Sequence, residues 1–389
     1  MKNRNSEYNC IFYLISCALN DVVPDKAVID GYSMQNILAY SRKHSISALV
    51  GYSLMKNKAF EESPFFDEWD QAISRSARNT ILMDAEREKI YSYMEQNGVW
   101  HIPLKGIVLK EYYPEYGTRE MSDNDILYNV RFQELMRQYM TGDGYEAVSV
   151  GIHQDDIYHK LPLYNFELHR TLFRKNNAVL YKYFHRVKHM VERLPGSRYC
   201  YRFKKEYFYI YILAHAYTHY HLGGTGIRSL VDVYLYYNAE HDMDRGFVEQ
   251  ELGKIGLYAF HKKCIDISAA LFGTVAIYDL DRLSESEWEF LSYIIGSGTY
   301  GTLENDLKNI IAGYDNGCRI TRRSVYKYYL TRLFPDMVYI RSNAPLVYKY
   351  KALIPFFYLY RFVKLAFCIP GTVKELRYTH SLIGKEKLK

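Results

Sequence analysis

Disulfide frameworks, zinc ribbons and strong charge are all missing from this chain. Its six cysteines (Cys10, Cys17, Cys200, Cys264, Cys318 and Cys368) are scattered, with no C-x-x-C pair. That excludes a zinc ribbon and a disulfide scaffold and makes a reducing, cytoplasmic compartment the expectation. Lys and Arg outnumber Asp and Glu only 50 to 44, a formal net charge of +6 over 389 residues. So mild a surplus gives no strong nucleic-acid signature, although it suits an anionic small substrate. No apolar run reads as a transmembrane segment: "YKALIPFFYLYRFVKLAF" (350–367) carries Pro355, Arg361 and Lys364 and reads as a packed or surface-lying helix. The opening "MKNRNSEYNCIFYLISCALND" has a basic tip, but Asn9 and Ser16 interrupt its apolar run and no small-residue cleavage site follows, so a first amphipathic helix is expected there. Internal repeats and low-complexity linkers are absent too, and the best loop is "YDNGCRITRRSV" (314–325).

What is present is an ordinary hydrophobic fraction, 48%, and 41 tyrosines. The tyrosines fall where helices need half-buried amphipathic side chains, which reads as interior and groove lining. Apolar residues recur at three and four from residue 8 to about 97, so residues 1–97 are expected to be helical, with Asn97 and Gly98 as the stop. "VWHIPLKG" then starts a strand, "IVLKEYY" a short helix and "TREMSDNDILYNV" a second strand. "RFQELMRQYM" is a helix closed by Gly142 and Gly144, followed by a third strand. "LPLYNFELHRTLF" is a fourth, with Tyr164, Phe166 and Leu168 alternating against Asn165, Glu167 and His169. Residues 98–200 are thus expected to form a mixed α/β core and residues 201–389 a helical domain, an α+β protein.

"MSDNDILY" (121–128) is the stretch that carries chemistry. On a strand, residues i and i+2 share a face about 7 Å apart, so Asp123 and Asp125 can reach one cation or a close pair of cations. Upstream, "PLKG" runs from strand into helix at Lys105 and Gly106, where a glycine lets phosphate oxygens approach backbone N–H groups and the lysine adds positive charge. Downstream, Glu167 offers a third carboxylate at the same sheet edge. Hard oxygen ligands of this kind suit Mg²⁺ or Mn²⁺ held together with substrate phosphates. His215 and His219 stand i, i+4 on a helix, with His221 close by, which is acceptable zinc geometry, but the further ligands (His153, His159, Asp232) are suggested by composition alone. His215 and His219 are therefore read as facing a cleft, touching nucleotide or acceptor or fixing Asp232 and Arg228. The "GGTG" at 223–226 lacks the Lys-Ser/Thr of a phosphate loop and reads as an inter-helix turn.

The order of "PLKG" (103–106), "GTREMSDNDIL" (117–127), "FELH" (166–169) and "LAHAYTHYHLGGTGIRSLVDVYL" (213–235) resembles an uncharacterised nucleotidyltransferase family within the DNA polymerase beta-type superfamily. The resemblance implies a small mixed-sheet nucleotidyltransferase core, flanked by N-terminal helices and a larger C-terminal helical region. It implies Asp123, Asp125 and Glu167 as metal-binding and catalytic carboxylates, with Glu167 as general base. Lys105 and Gly106 would stand where relatives place Gly-Ser against the nucleotide phosphates, and Arg119, His169, His215 and His219 are nucleotide- or substrate-binding candidates. Arg119 is read either as a triphosphate contact or as a structural partner of Asp123. Asn124 replaces the usual apolar residue between the aspartates, so looser packing behind the site is expected. The activity implied is Mg²⁺- or Mn²⁺-dependent transfer of a nucleoside monophosphate from an NTP to an acceptor hydroxyl or phosphate. The rivals are a metal-dependent phosphohydrolase built on the histidine-rich helix with Asp232, and a nucleotide-binding protein without catalysis.

Overall fold

The computed structural model describes residues 7–152, 154–314 and 320–366. In chain order the first helices are α1 (Glu7–Leu19), α2 (Lys26–Ile29), α3 (Met34–Lys43), α4 (Ser47–Met55) and α5 (Phe66–Gln96). The central elements are β1 (His101–Pro103), α6 (Gly106–Leu109), β2 (Asn124–Tyr128), α7 (Gln133–Gly142), β3 (Glu146–Ser149), β4 (Asp155–Lys160), β5 (Tyr164–His169), α8 (Ala178–Phe184), β6 (Val191–Arg193) and β7 (Tyr201–Phe203). Helices α9 (Lys205–Leu222), α10 (Ile227–Ala239), α11 (Arg245–Lys254), α12 (Tyr258–Phe272) and α13 (Glu285–Ser297) follow. The last are α14 (Leu303–Gly313), α15 (Arg322–Leu333), α16 (Met337–Asn343), α17 (Pro345–Lys349) and α18 (Ile354–Ala366). The fold is α+β, a small mixed sheet with helices on either side of it in sequence. By internal packing the chain divides into Met1–Tyr217 with Thr225–Thr299, and Thr218–Gly224 with Tyr300–Lys389.

In the first unit α1 is buried from Tyr8 to Ala18, because its sequence is apolar almost all round and α3, α4 and α12 enclose it. The Ser16 hydroxyl donates to the Phe272 carbonyl at 3.2 Å, which ties α1 to the end of α12. Helix α5 stops as its sequence dictates: Gly98 adopts φ +70°, and Val99 N–H returns to the Met94 carbonyl at 2.8 Å and Gly98 N–H to Glu95 at 3.4 Å, a left-handed glycine closure. The same closure ends α7 through Gly144 and Tyr145.

The sheet runs β1-β2-β5-β4-β3. Every adjacent pair is antiparallel except β2 with β5, which are parallel and place Asp125 opposite Glu167 and Leu127 opposite His169. One face of the sheet is apolar: Ile126, Tyr128, Phe166, Leu168 and Tyr158 pack with Ile90 and Met94 of α5 and Met136 and Met140 of α7. The alternation expected in "YNFELH" therefore holds, with Phe166 and Leu168 fully buried.

Strand β4 and the β6–β7 hairpin were not expected from the sequence. Asp156 of β4 points into the apolar face and is fully buried, so the stretch lacks the alternation that marks a strand. Its carboxylate accepts from the Tyr128 hydroxyl at 2.5 Å, from Gln133 Nε2 at 3.0 Å and from Gly151 N–H at 2.7 Å. Other tyrosines do the same work, buried Tyr145 donating to Glu86 at 3.1 Å and half-buried Tyr183 to Glu251 at 2.7 Å. "GGTG" is the turn between α9 and α10, as expected.

The second unit is helical around Leu307, Ile311, Val325 and Tyr328. The loop expected at 314–325 falls partly on residues 315–319, outside the described residues, and Cys318 and Cys368 lie outside them too; Cys10, Cys17, Cys200 and Cys264 are buried free thiols. Among the described residues no helix is long and apolar enough to cross a membrane.

Candidate active site

The face of the sheet opposite the apolar core carries the charged residues. Parallel pairing of β2 with β5 sets Asp125 beside Glu167, and the period of two puts His169 on the same face. His169 Nε2–H donates to Asp125 Oδ1 at 2.6 Å and lies 3.8 Å from Glu167 Oε2. Ligand atoms of Asp125, Glu167 and His169 all lie within 4.8 Å of one another, a group able to hold a metal ion. Asp123 sits half-buried just before β2, close enough to exchange electrostatic effects with Asp125, Lys105 and Arg228.

Lys105 completes the cluster. Its Nζ donates to Asp125 Oδ1 at 2.5 Å. Its backbone has φ +44°, a left-handed region that lysine rarely occupies and that costs about 1–3 kcal/mol. The strain falls where β1 breaks into α6, the turn that sends the ammonium to Asp125.

These neighbours push the carboxyls in different directions. Burial alone would raise Asp125, but the Lys105 ammonium and the His169 hydrogen bond more than offset it and hold that carboxyl well below the usual range. Burial, then repulsion from Asp125, pushes Glu167 up to about 8, with Lys105 pulling the other way. Asp123 is also raised, by burial and by Asp125. Asp125 is thus the carboxylate that ionises most readily, and Glu167 and Asp123 resist ionisation beside it.

The loop leading into β2 is pinned from three helices. Ser76 of α5 donates to the Gly117 carbonyl at 2.6 Å. The Glu120 carboxylate accepts from Ser47 Oγ at 2.7 Å and Ala48 N–H at 3.0 Å, capping the start of α4 in place of Ile46, which has no capping side chain. Arg228 of α10 donates to the Glu120 carbonyl at 2.8 Å. Arg119, buried, pairs with Asp232 of α10 and not with Asp123: Nε meets Oδ1 and Nη2 meets Oδ2, each at 2.8 Å. Tyr113 adds its hydroxyl to Asp232 Oδ1 at 2.8 Å.

Gly106 serves this pairing. A Cβ there would lie 2.4 Å from Arg119 Nη1 and 2.9 Å from Met121 Sδ, so the glycine admits the guanidinium.

Asn124 is buried on the reverse of the strand, where Arg87 Nη1 of α5 donates to its Oδ1 at 3.0 Å. The looser packing expected there is instead a hydrogen bond from the long helix.

The histidines divide. His215 is half-buried on α9, with its ring 6.2 Å from that of Tyr211; His219 belongs to the second unit. Among the described residues no group of three possible ligands includes either one, Asp232 is engaged by Arg119 and Tyr113, and His153 lies outside the described residues.

Three neighbours escaped the sequence reading as members of this site. Asp155 of β4 is the cross-strand partner of His169, and its Oδ1 is buried with no hydrogen-bond partner; the only hint was the "DD" at 155–156. Tyr211 of α9 is buried, and its hydroxyl, raised chiefly by burial, also feels Lys105, Asp125, Glu167 and Asp123. Arg228 of α10 lowers the Asp123 carboxyl against the effect of burial, a role that its place after the histidine-rich helix does not announce.

A family model described as uncharacterised nucleotidyltransferase matches residues 31–273 of the chain. The protein belongs to that nucleotidyltransferase family. No curated protein and no solved structure matches it.

Proposed function

We propose that this protein transfers a nucleoside monophosphate from an NTP to a hydroxyl or phosphate of an acceptor. The acceptor oxygen forms a bond to the α-phosphorus, the bond from that phosphorus to the bridging oxygen breaks, and pyrophosphate leaves. The observation that carries the reading is the parallel β2–β5 pairing that sets Asp125 against Glu167, with Asp123 just before β2. The Asp125, Glu167 and His169 ligand atoms within 4.8 Å of one another and the orphaned Asp155 Oδ1 suit a cation. When bound, Mg²⁺ or Mn²⁺ held by Asp123, Asp125 and Glu167 would neutralise charge on the α-phosphate and on the leaving pyrophosphate.

The remaining work falls to the chain itself. Glu167, at the exposed side of the cluster, takes the proton of the acceptor. His169 keeps the Asp125 carboxylate in one orientation through its 2.6 Å bond. Lys105 and Arg228 supply positive charge for the triphosphate, and Arg119 acts through Asp232 to hold the loop that carries Asp123.

The test is label transfer from each α-labelled NTP to a fractionated cell extract, with pyrophosphate release measured in parallel. Asp123→Asn and Asp125→Asn should each lower transfer by about a hundredfold or more. Transfer that survives Asp125→Asn but is lost in His215→Ala would overturn the reading in favour of hydrolase-type chemistry on α9. Nucleotide binding without pyrophosphate release on any acceptor fraction would favour a non-catalytic binder.

A further inference from the structure

We propose that the end of the second unit, α17 through α18, docks onto an anionic membrane surface. Helix α18 is inverted relative to an ordinary amphipathic helix. Its sheltered side holds the polar anchors: Tyr358 donates to the Pro335 carbonyl at 3.3 Å and packs edge-on against Phe334, with ring centroids 5.2 Å apart. Arg361 gives one guanidinium nitrogen to the Tyr339 hydroxyl at 2.9 Å and another to the Arg332 carbonyl at 2.7 Å. The outward side is apolar, with Phe356, Leu359 and Phe362 exposed by 69%, 62% and 60% and Val363 by 44%. Residues 356, 359 and 363 lie three and four apart and Phe362 adjoins Leu359, so these side chains form one continuous stripe rather than scattered exposures.

Charge selects the occupant. From Met337 to Lys374 the chain has no Asp or Glu and six cations: Arg341, Lys349, Lys351, Arg361, Lys364 and Lys374. Lys349 and Lys351 are exposed just before the apolar stripe begins. An apolar stripe preceded by two exposed lysines in a span without Asp or Glu matches the acyl boundary and phosphate layer of an anionic leaflet. Aromatic and Lys side chains are suited to that boundary, apolar along the body and charged or polar at the tip. Among the described residues no helix, α18 included, is long and apolar enough to cross a bilayer, so the proposed contact lies in the plane of the surface.

The experiment is co-sedimentation of the full chain with phosphatidylcholine vesicles, alone or with about one third phosphatidylserine, at low and high salt. Binding to the anionic vesicles should exceed binding to the neutral ones by about tenfold or more and should weaken with salt. Phe356→Ser with Leu359→Ser and Phe362→Ser should lower it by about tenfold or more, and so should Lys349→Gln with Lys351→Gln. All five positions are exposed, so the urea midpoint of each variant should match that of the parent. Phe356→Trp gives a direct readout, blue-shifted emission quenched by brominated lipid. Equal or absent binding to the two vesicle types, or full binding by the triple serine variant, overturns the proposal. So does a parent chain that is dimeric by light scattering, becomes monomeric in the triple variant and ignores vesicles, since the stripe would then belong to a second copy.

Discussion

Arg119 and Asp232 meet through two parallel hydrogen bonds of 2.8 Å although 113 residues separate them in sequence. The pair fastens the loop before β2 to α10, and removing one partner strands a buried charge. Asp232→Ala should therefore lower the unfolding free energy by about 3–5 kcal/mol. Urea denaturation checks this, and a loss under about 1 kcal/mol would show that the pair does not hold the loop.

Lys105 sits on Asp125 Oδ1, where a divalent cation would bind. Replacing its ammonium by a neutral side chain of similar length removes a like charge from that spot. Mn²⁺ titration of Lys105→Met should show affinity raised about tenfold or more, in line with one unit charge removed at ion-pair distance in a partly solvated site. Weaker Mn²⁺ binding in that variant would mean that Asp125 is not a ligand.

Behind the strand, Arg87 reaches Asn124 at 3.0 Å in the buried interior. Arg87 Nη1 also pairs with Asp84 Oδ1 at 2.8 Å, so Arg87→Met, which leaves Asn124 unmet and breaks that ion pair, should destabilise by about 2–3 kcal/mol, and Asn124→Leu, after which Arg87 keeps Asp84, by only about 1 kcal/mol. The double variant should lose less than the sum of the two single losses, since Asn124 Oδ1 is then no longer left unmet. A double-mutant cycle reads this directly, and strict additivity would show that the two side chains do not interact.

His44 gives a pH dependence. It is fully buried; Ile227 N–H donates to its Nδ1 at 3.2 Å, so the ring proton sits on Nε2, 3.3 Å from the Tyr8 hydroxyl. Burial, aided by Lys43, lowers the imidazole from 6.5 to about 3. The unfolded chain then binds a proton that the folded chain refuses, so this contribution is complete above about pH 6.5 and is lost as pH falls toward 3. At pH 5 the loss should be about 2 kcal/mol. His44→Gln should flatten the fall in urea midpoint between pH 7 and 5; an unchanged slope would mean that His44 titrates normally.

The site's carboxylates were legible because strand periodicity and spacing are local. "DND" and "FELH" each announce which residues share a face, and Asn97-Gly98 announces the end of α5. What was hidden depends on contacts between distant segments or on inward polar residues. Asp156 breaks the pattern of β4 because its partners, Tyr128, Gln133 and Gly151, come from elsewhere. Strands β6 and β7 are three residues each, too short for any period to register. Arg119 gives no sequence sign that its carboxylate is Asp232 rather than Asp123, nor does Gly106 show that its missing Cβ makes room for a guanidinium. Asn124 reads as a defect until Arg87 is seen beside it.

Helix α9 begins in the unit that holds the carboxylates, and its last turn belongs to the other, with Thr218–Gly224 counted among the C-terminal helices. Thr302 N–H donates to the Gly223 carbonyl at 3.0 Å and Asn309 Nδ2 to Leu222 at 3.4 Å. A recombination event that exchanged the C-terminal helices at one crossover near residue 300 would leave those acceptors facing foreign sequence. Almost any residue at 302 supplies that N–H, so the sequence-specific demand falls on Gly301, with φ +70°, where a Cβ would lie 2.4 Å from the Gly223 carbonyl oxygen; a new tail must bring glycine there, which ties the terminal helices to a turn about eighty residues upstream.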